Sequence, residues 1–404
     1  MLLEIPIAIV AGVAAGVVTG LTPGLHINTV ALAALAVAPA LSSSLGVGLL
    51  ALALAIVAMS VTHTFLDFIP AIFLGAPRED SALAVLPAHR FLLKGMGYEA
   101  AKLTAAGGLA STLLFLLALP AFLFGIPAFY GLIKRWMGWA LLAIVAFMLL
   151  RSREPNKIFW AAFCFGLAGV LGLLTFELGL KEPLYPLFAG LFGLSLIITT
   201  LAQKSEIPEQ ELGKSVKLPK RALFKAGAIA TFSGTLMTIF PALGPAQAAV
   251  LGALLIGSIS AAGYLVLLGG INTAAMLASL VTLFSISKPR NGSIVVVQRL
   301  LGSIEAEHFA LFIAAAAAAA GMATLLVLLF GRLAARTLNR LNYRWLCAAV
   351  ALLLIAFAIW LSGWLGLLVL AVGAAIGLLP GPLGVPRSTL MGCLLLPVIL
   401  YYLL

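Results

Sequence analysis

Two stretches place proline, glycine and polar side chains inside otherwise apolar sequence, GLTPGLHINT at 20–29 and FPALGPAQAA at 240–249. Proline lacks an amide proton, so each break frees backbone N–H and C=O groups that hydrocarbon cannot satisfy. Protein, water, an ion or a substrate must do so. In the first, Pro23 and Gly24 interrupt the chain while His26, Asn28 and Thr29 follow, setting a helix N-terminus and polar side chains beside an anion. Pro241 and Gly244 are the counterparts in the second. The bland reading of either break is a kink that lets segments pack.

A second constellation is Ser60, Thr62, His63, Thr64 and Asp67. His63 and Asp67 fall one helical turn apart on the same side. A carboxylate within an apolar segment is costly unless paired or hydrated. Asp67, with Thr64 and His63, is therefore the candidate site for a coupling sodium ion or proton, although His63 and Asp67 can also simply neutralise each other. The third lies in the second half: Asn272 and Thr273 within GGINTAAMLAS, then Lys288, Arg290 and Asn291. Arg290 offers a planar fork suited to a carboxylate or phosphate, Lys288 a point charge. A solvated loop cluster is the competing reading.

No phosphate-binding loop, zinc-protease signature, nucleophile elbow or cysteine redox pair accompanies these residues, and Cys164, Cys347 and Cys393 are isolated. The chain is read as a non-enzyme without a resident cofactor.

The elements that must position these groups are set by composition. Of 404 residues, 63% are hydrophobic and 9% charged, which excludes an ordinary soluble domain. The formal net charge of +11 sits in short connections rather than in a stripe. It therefore points to the negatively charged cytoplasmic leaflet and not to nucleic acid. An acidic start running into more apolar sequence argues against a cleaved signal. The expectation is an all-α polytopic protein of the cell membrane.

Apolar segments are expected near 3–20, 28–43, 46–70, 103–124, 137–150, 157–174 and 184–201, and again near 223–240, 246–262, 264–286, 308–331, 345–360, 362–378 and 388–403. That gives a first transmembrane repeat, 1–201, a polar cytoplasmic linker, 202–222, and a second repeat, 223–404. Three correspondences in the same order suggest duplication: the two Pro-Gly breaks, PREDS at 77–81 against PRNGS at 289–293, and GLLTFELG at 172–179 against GLLPGPLG at 377–384. An odd number of crossings per half would invert the second copy, with broken helices or re-entrant hairpins meeting near mid-membrane.

Gly16, Gly20, Pro23, Gly24 and Leu25, in GVVTGLTPGLHINTVALAAL at 16–35, resemble the glycine-proline signature of the TctA family, the large membrane subunit of tripartite tricarboxylate transporters. The two-half organisation and the Pro241–Gly244 break resemble it too. The resemblance implies ion-coupled uptake of carboxylates by alternating access, substrate contacts around both breaks, and a small membrane subunit and an extracytoplasmic binding protein as partners. His26 departs from the family's Pro-Gly-Leu-Gly, as does Pro245 after Gly244. These departures, and a shorter chain, suggest a divergent, archaeal-type branch that works alone or as a homo-oligomer. The alternatives are a translocase of polyprenyl phosphate or another anionic lipid, and a membrane scaffold without transport.

Overall fold

The computed structural model describes residues 3–22, 27–73, 85–151, 154–202, 208–240, 243–257, 259–338 and 343–404. In chain order the helices are α1 (Glu4–Leu21), α2 (Ile27–Leu45), α3 (Leu49–Leu66), α4 (Phe68–Phe73), α5 (Val85–Leu92), α6 (Gly97–Leu117), α7 (Leu119–Ile133), α8 (Met137–Leu150), α9 (Pro155–Glu177), α10 (Leu184–Phe188) and α11 (Ser195–Ala202). The second half holds α12 (Lys220–Ile239), α13 (Pro245–Ile256), α14 (Ala261–Ile286), α15 (Gly292–Leu301), α16 (Ala306–Leu338), α17 (Tyr343–Leu378), whose two arms meet at a kink at Gly363 (φ 66°), α18 (Pro380–Leu383) and α19 (Gly392–Leu403). Among the described residues 9 helical stretches are long and apolar enough to cross a bilayer, and shorter apolar helices such as Val30–Ser44, Gln247–Ile256 and Gly292–Leu301 lie between them. The protein is an all-α, multi-pass membrane protein.

Hydropathy locates the apolar helices but overcounts the crossings and misplaces their ends: fourteen segments are expected, and among the described residues 9 stretches reach membrane length. α6 starts at Gly97, not near 103, because its first-turn charges are satisfied: the Glu99 carboxylate pairs with Lys102 and accepts the Val216 N–H at 3.0 Å. The described part of the expected linker is thus pinned to this helix. Gln210 is buried there, accepting the Gly97 N–H at 2.9 Å and donating to the Leu92 carbonyl at 3.0 Å.

Where lipid surrounds a bundle, helices gain little from apolar burial against one another, so close packing of small residues takes over. α1 and α3 run side by side in the same direction, Gly12 against Ala55, Gly16 against Met59 and Gly20 against Leu66. α12 and α14 do likewise, with Gly234 against Ile271. α14, buried almost all round, is the central helix. It packs antiparallel on α6 with no room for a side chain: a β-carbon at Gly107 would sit 2.0 Å from the Val266 carbonyl oxygen, and one at Gly269 2.1 Å from that of Thr104.

The periphery repeats one contact with the halves exchanged. Gly172 of α9 abuts the Cys393 carbonyl of α19, while Gly377 of α17 abuts the Leu191 carbonyl in the π-helical turn Ala189–Leu194. Their segments also end alike, at Gly179 with φ 63° and Gly384 with φ 66°. Of the other expected correspondences, residues 77–81 and the tips of both Pro-Gly breaks lie outside the described residues.

Candidate functional site

On α14, Asn272, Ala275, Met276 and Ser279 occupy positions i, i+3, i+4 and i+7, one face of a helix. That face forms one wall of a cavity of about 270 Å³. The opposite walls come from both halves. Ile27 and Asn28 open α2 just after the first break, and Thr64 comes from α3. Met237, Thr238 and Phe240 close α12, Leu243 to Pro245 form the second break, and Arg290 to Gly292 lead into α15.

Three helix N-termini, those of α2, α13 and α15, therefore meet at one space, and each brings the positive end of its dipole. α13 is built for this by Pro245 at its first position, where the missing N–H costs nothing. The Gln247 side chain reaches back to accept the Gly244 N–H at 2.9 Å. α15 is capped twice, because the Ser293 N–H faces both Asn291 Oδ1 at 3.1 Å and Asn28 Oδ1 at 3.0 Å. The second contact joins the first break to the second half.

Arg290 is held from several sides. Its backbone N–H donates to Ser279 Oγ at 3.1 Å and its Nη2 to the Ile239 carbonyl at 3.4 Å, while its guanidinium carbon lies 5.5 Å from the Tyr130 ring centroid. Its Nε is buried with no hydrogen-bond partner among the described residues. Asn272, 4% exposed, has neither its amide oxygen nor its amide nitrogen paired there. Unpaired buried polar groups are costly, typically about 1–3 kcal/mol each. These two belong to residues that line the cavity, unlike the Ser233 and Thr235 hydroxyls elsewhere on α12, which are also unpaired among the described residues.

Of the residues singled out from sequence, Asn28, Thr64, Gly244, Asn272, Arg290 and Asn291 are thus brought to one cavity. Lys288 is not. It is exposed, and its ammonium donates to the Tyr130 hydroxyl at 2.7 Å. Thr273 is buried beside the cavity, donating to the Gly269 carbonyl at 3.2 Å and lying 3.4 Å from Thr64. The proposed coupling group divides: Thr64 lines the cavity, while His63 Nδ1 faces Thr19 Oγ1 of α1 at 3.0 Å. Asp67, 1% exposed, sits at the turn between α3 and α4, its N–H bonded to the His63 carbonyl at 3.0 Å. Pro23, Gly24, His26, Pro241 and the side chain of Thr29 lie outside the described residues.

Sequence reasoning missed Ser279, Met276 and Thr238 in the lining, and Tyr130 behind Arg290. Helical spacing from Asn272 would have found the first two. Tyr130 is remote in sequence, so no spacing points to it. Among the described residues no three His, Cys, Asp or Glu side chains gather as a metal site would.

The family's sequence pattern matches residues 7–392, nearly the whole chain and both breaks. The chain belongs to the tripartite tricarboxylate transporter TctA family. TctA proteins are membrane carriers and not enzymes, so the cavity is to be read for binding and passage rather than for bond chemistry. A relative in Methanocaldococcus jannaschii, described as the uncharacterized protein MJ1079, is 26% identical over 308 residues, covering 73% of each chain. No solved structure matches this TctA-family chain.

Proposed function

We propose that the protein is an ion-coupled secondary transporter of a small organic anion, a carboxylate, working by alternating access between two inverted halves. The observation that carries this reading is the single cavity, lined by residues flanking both Pro-Gly breaks, into which Arg290 and Asn272 bring unpaired polar atoms. Positive potential that needs no rearrangement on arrival of an anion is what a carboxylate site requires; the dipoles of α2, α13 and α15 contribute it at their N-termini, and Arg290 Nε and Asn272 Nδ2 offer the unpaired donors.

The inverted arrangement is supported by the exchanged contacts of Gly172 and Gly377 and by the parallel pairing of α1 with α3 and of α12 with α14. Asp67, His63 and Thr64 are the proposed handle for the coupling sodium ion or proton. Size speaks against a lipid-linked substrate: about 270 Å³ is at the lower edge of ligand pockets, roughly 300–1,000 Å³, and a polyprenyl chain would lie outside it. Family membership supports a small membrane protein and a binding protein as partner subunits of the tripartite kind.

The test is flux into proteoliposomes containing the full chain, with carboxylates and a polyprenyl phosphate offered under separate sodium and proton gradients. Carboxylate uptake that follows one gradient is the expected result. Movement of the polyprenyl phosphate alone would replace this reading with the lipid one, and movement of neither would remove both.

A further inference from the structure

The lining of the cavity says more about its ligand than that it is an anion. Arg290 Nε has a proton to give, as does Asn272 Nδ2. Two of the lining hydroxyls have already spent theirs: Thr64 donates to the Val61 carbonyl at 2.8 Å and Thr238 to the Thr235 carbonyl at 2.7 Å. Each can offer only a lone pair to a ligand while those bonds last. Asn272 Oδ1 adds a third acceptor, buried and unpaired among the described residues. Exchanging the amide oxygen and nitrogen of Asn272 changes nothing, because neither atom has a partner.

A simple carboxylate only accepts hydrogen bonds, so it would satisfy the donors and leave that oxygen stranded in a low-dielectric space. Resting on the carboxylate reading above, we infer that the substrate carries a hydrogen-bond donor next to its carboxylate, a hydroxyl in a hydroxycarboxylate, and that Asn272 reads it. The carboxylate lies toward Arg290 and the hydroxyl donates to Asn272 Oδ1, while Asn272 Nδ2 gives its proton to the anion. Such a site rejects the deoxy analogue because the buried amide is then left unpaired, the mechanism by which hydrogen-bonding pockets discriminate most strongly.

The experiment compares matched pairs on the purified full-length protein in detergent, malate against succinate and lactate against propionate, by calorimetric titration. The expected result is at least one pair in which the hydroxylated member binds about tenfold tighter or more. Asn272→Leu should bring that ratio close to one by weakening the hydroxylated ligand more than its partner, whereas Arg290→Gln should weaken both members alike and leave the ratio standing. Equal affinities within each pair for the unaltered protein would overturn the inference and assign Asn272 to a bound water, and that comparison needs no variant to fold. A ratio unchanged in folded Asn272→Leu would overturn the role of Asn272. Binding of none of the four acids removes the carboxylate reading itself, a failure recognisably different from equal binding of both members.

Discussion

Arg290 is held in place by the Ile239 carbonyl, the Ser279 hydroxyl that fixes its backbone and the face of Tyr130. A lysine at 290 would keep the charge but lose the planar fork that both bonds a carbonyl and stacks on a ring. Arg290→Gln is therefore expected to weaken carboxylate binding at least about tenfold, and Arg290→Lys to restore only part of it, since charge-assisted hydrogen bonds contribute roughly 1.5–3 kcal/mol. Titration calorimetry on protein of unchanged melting temperature reads this. Full affinity in Arg290→Gln would take the guanidinium out of the site. Asp67 belongs to the same scale with a different readout. Buried at the α3–α4 turn and away from the cavity lining, it should leave carboxylate affinity alone when changed to Asn but alter which gradient drives uptake. Uptake with unaltered gradient dependence would make it a structural residue. Arg290, Asn272 and Asn28 were legible in the sequence because a polar residue in apolar surroundings stands out by type. Tyr130 was not, because its role comes from a cation–ring contact between α7 and the loop after α14, and no local pattern records that pairing.

At the scale of helices, the apolar runs were readable because bilayer thickness imposes a length, and the Pro-Gly interruptions were readable because they pair proline, which removes a ladder bond, with glycine. Pro39, Pro127 and Pro397, without an adjacent glycine, sit inside α2, α7 and α19. Helix ends were less so: α6 extends back to Gly97, where Glu99 pairs with Lys102 and also accepts the N–H of Val216, more than a hundred residues away. Which glycines matter was not legible either, since the chain has 40 of them and only the packing distinguishes them. Gly107→Ala would put a methyl group 2.0 Å from the Val266 carbonyl oxygen, and since both partners are backbone, one of the two central helices must move. A loss of about 1–3 kcal/mol is expected, seen as a lower melting temperature in detergent. Gly125→Ala is the control, because nothing lies within 4 Å of the added carbon. Equal melting temperatures for the two variants would show that α6 and α14 are not packed this closely.

For the molecule as a whole, the division into halves came from short motif pairs, and those pairs could not say how the halves touch. The contacts that join them run between residues far apart in the chain, as between Asn28 and Ser293 or Thr64 and Thr273. The Ser60 and Ser293 hydroxyls, 2.8 Å apart and both buried, are the contact best placed to report motion, because one sits on α3 and the other on the first turn of α15, directly after the Arg290–Gly292 segment of the cavity wall. If alternating access rocks one half against the other around the cavity, this contact must open in each cycle. Ser60→Cys with Ser293→Cys is then expected to form a disulfide under oxidation, to stop uptake while it is intact, and to release uptake on reduction. The native Cys164, Cys347 and Cys393 are all buried, so each cysteine introduced alone serves as the control for unwanted pairing. Binding and flux should separate in the crosslinked protein: calorimetry should still record carboxylate binding, because the crosslink fixes one state of the cavity without filling it. Undiminished uptake by fully crosslinked protein would show that α3 and α15 travel together, and would move the rocking interface to another cross-half contact, such as the one where α6 meets α14.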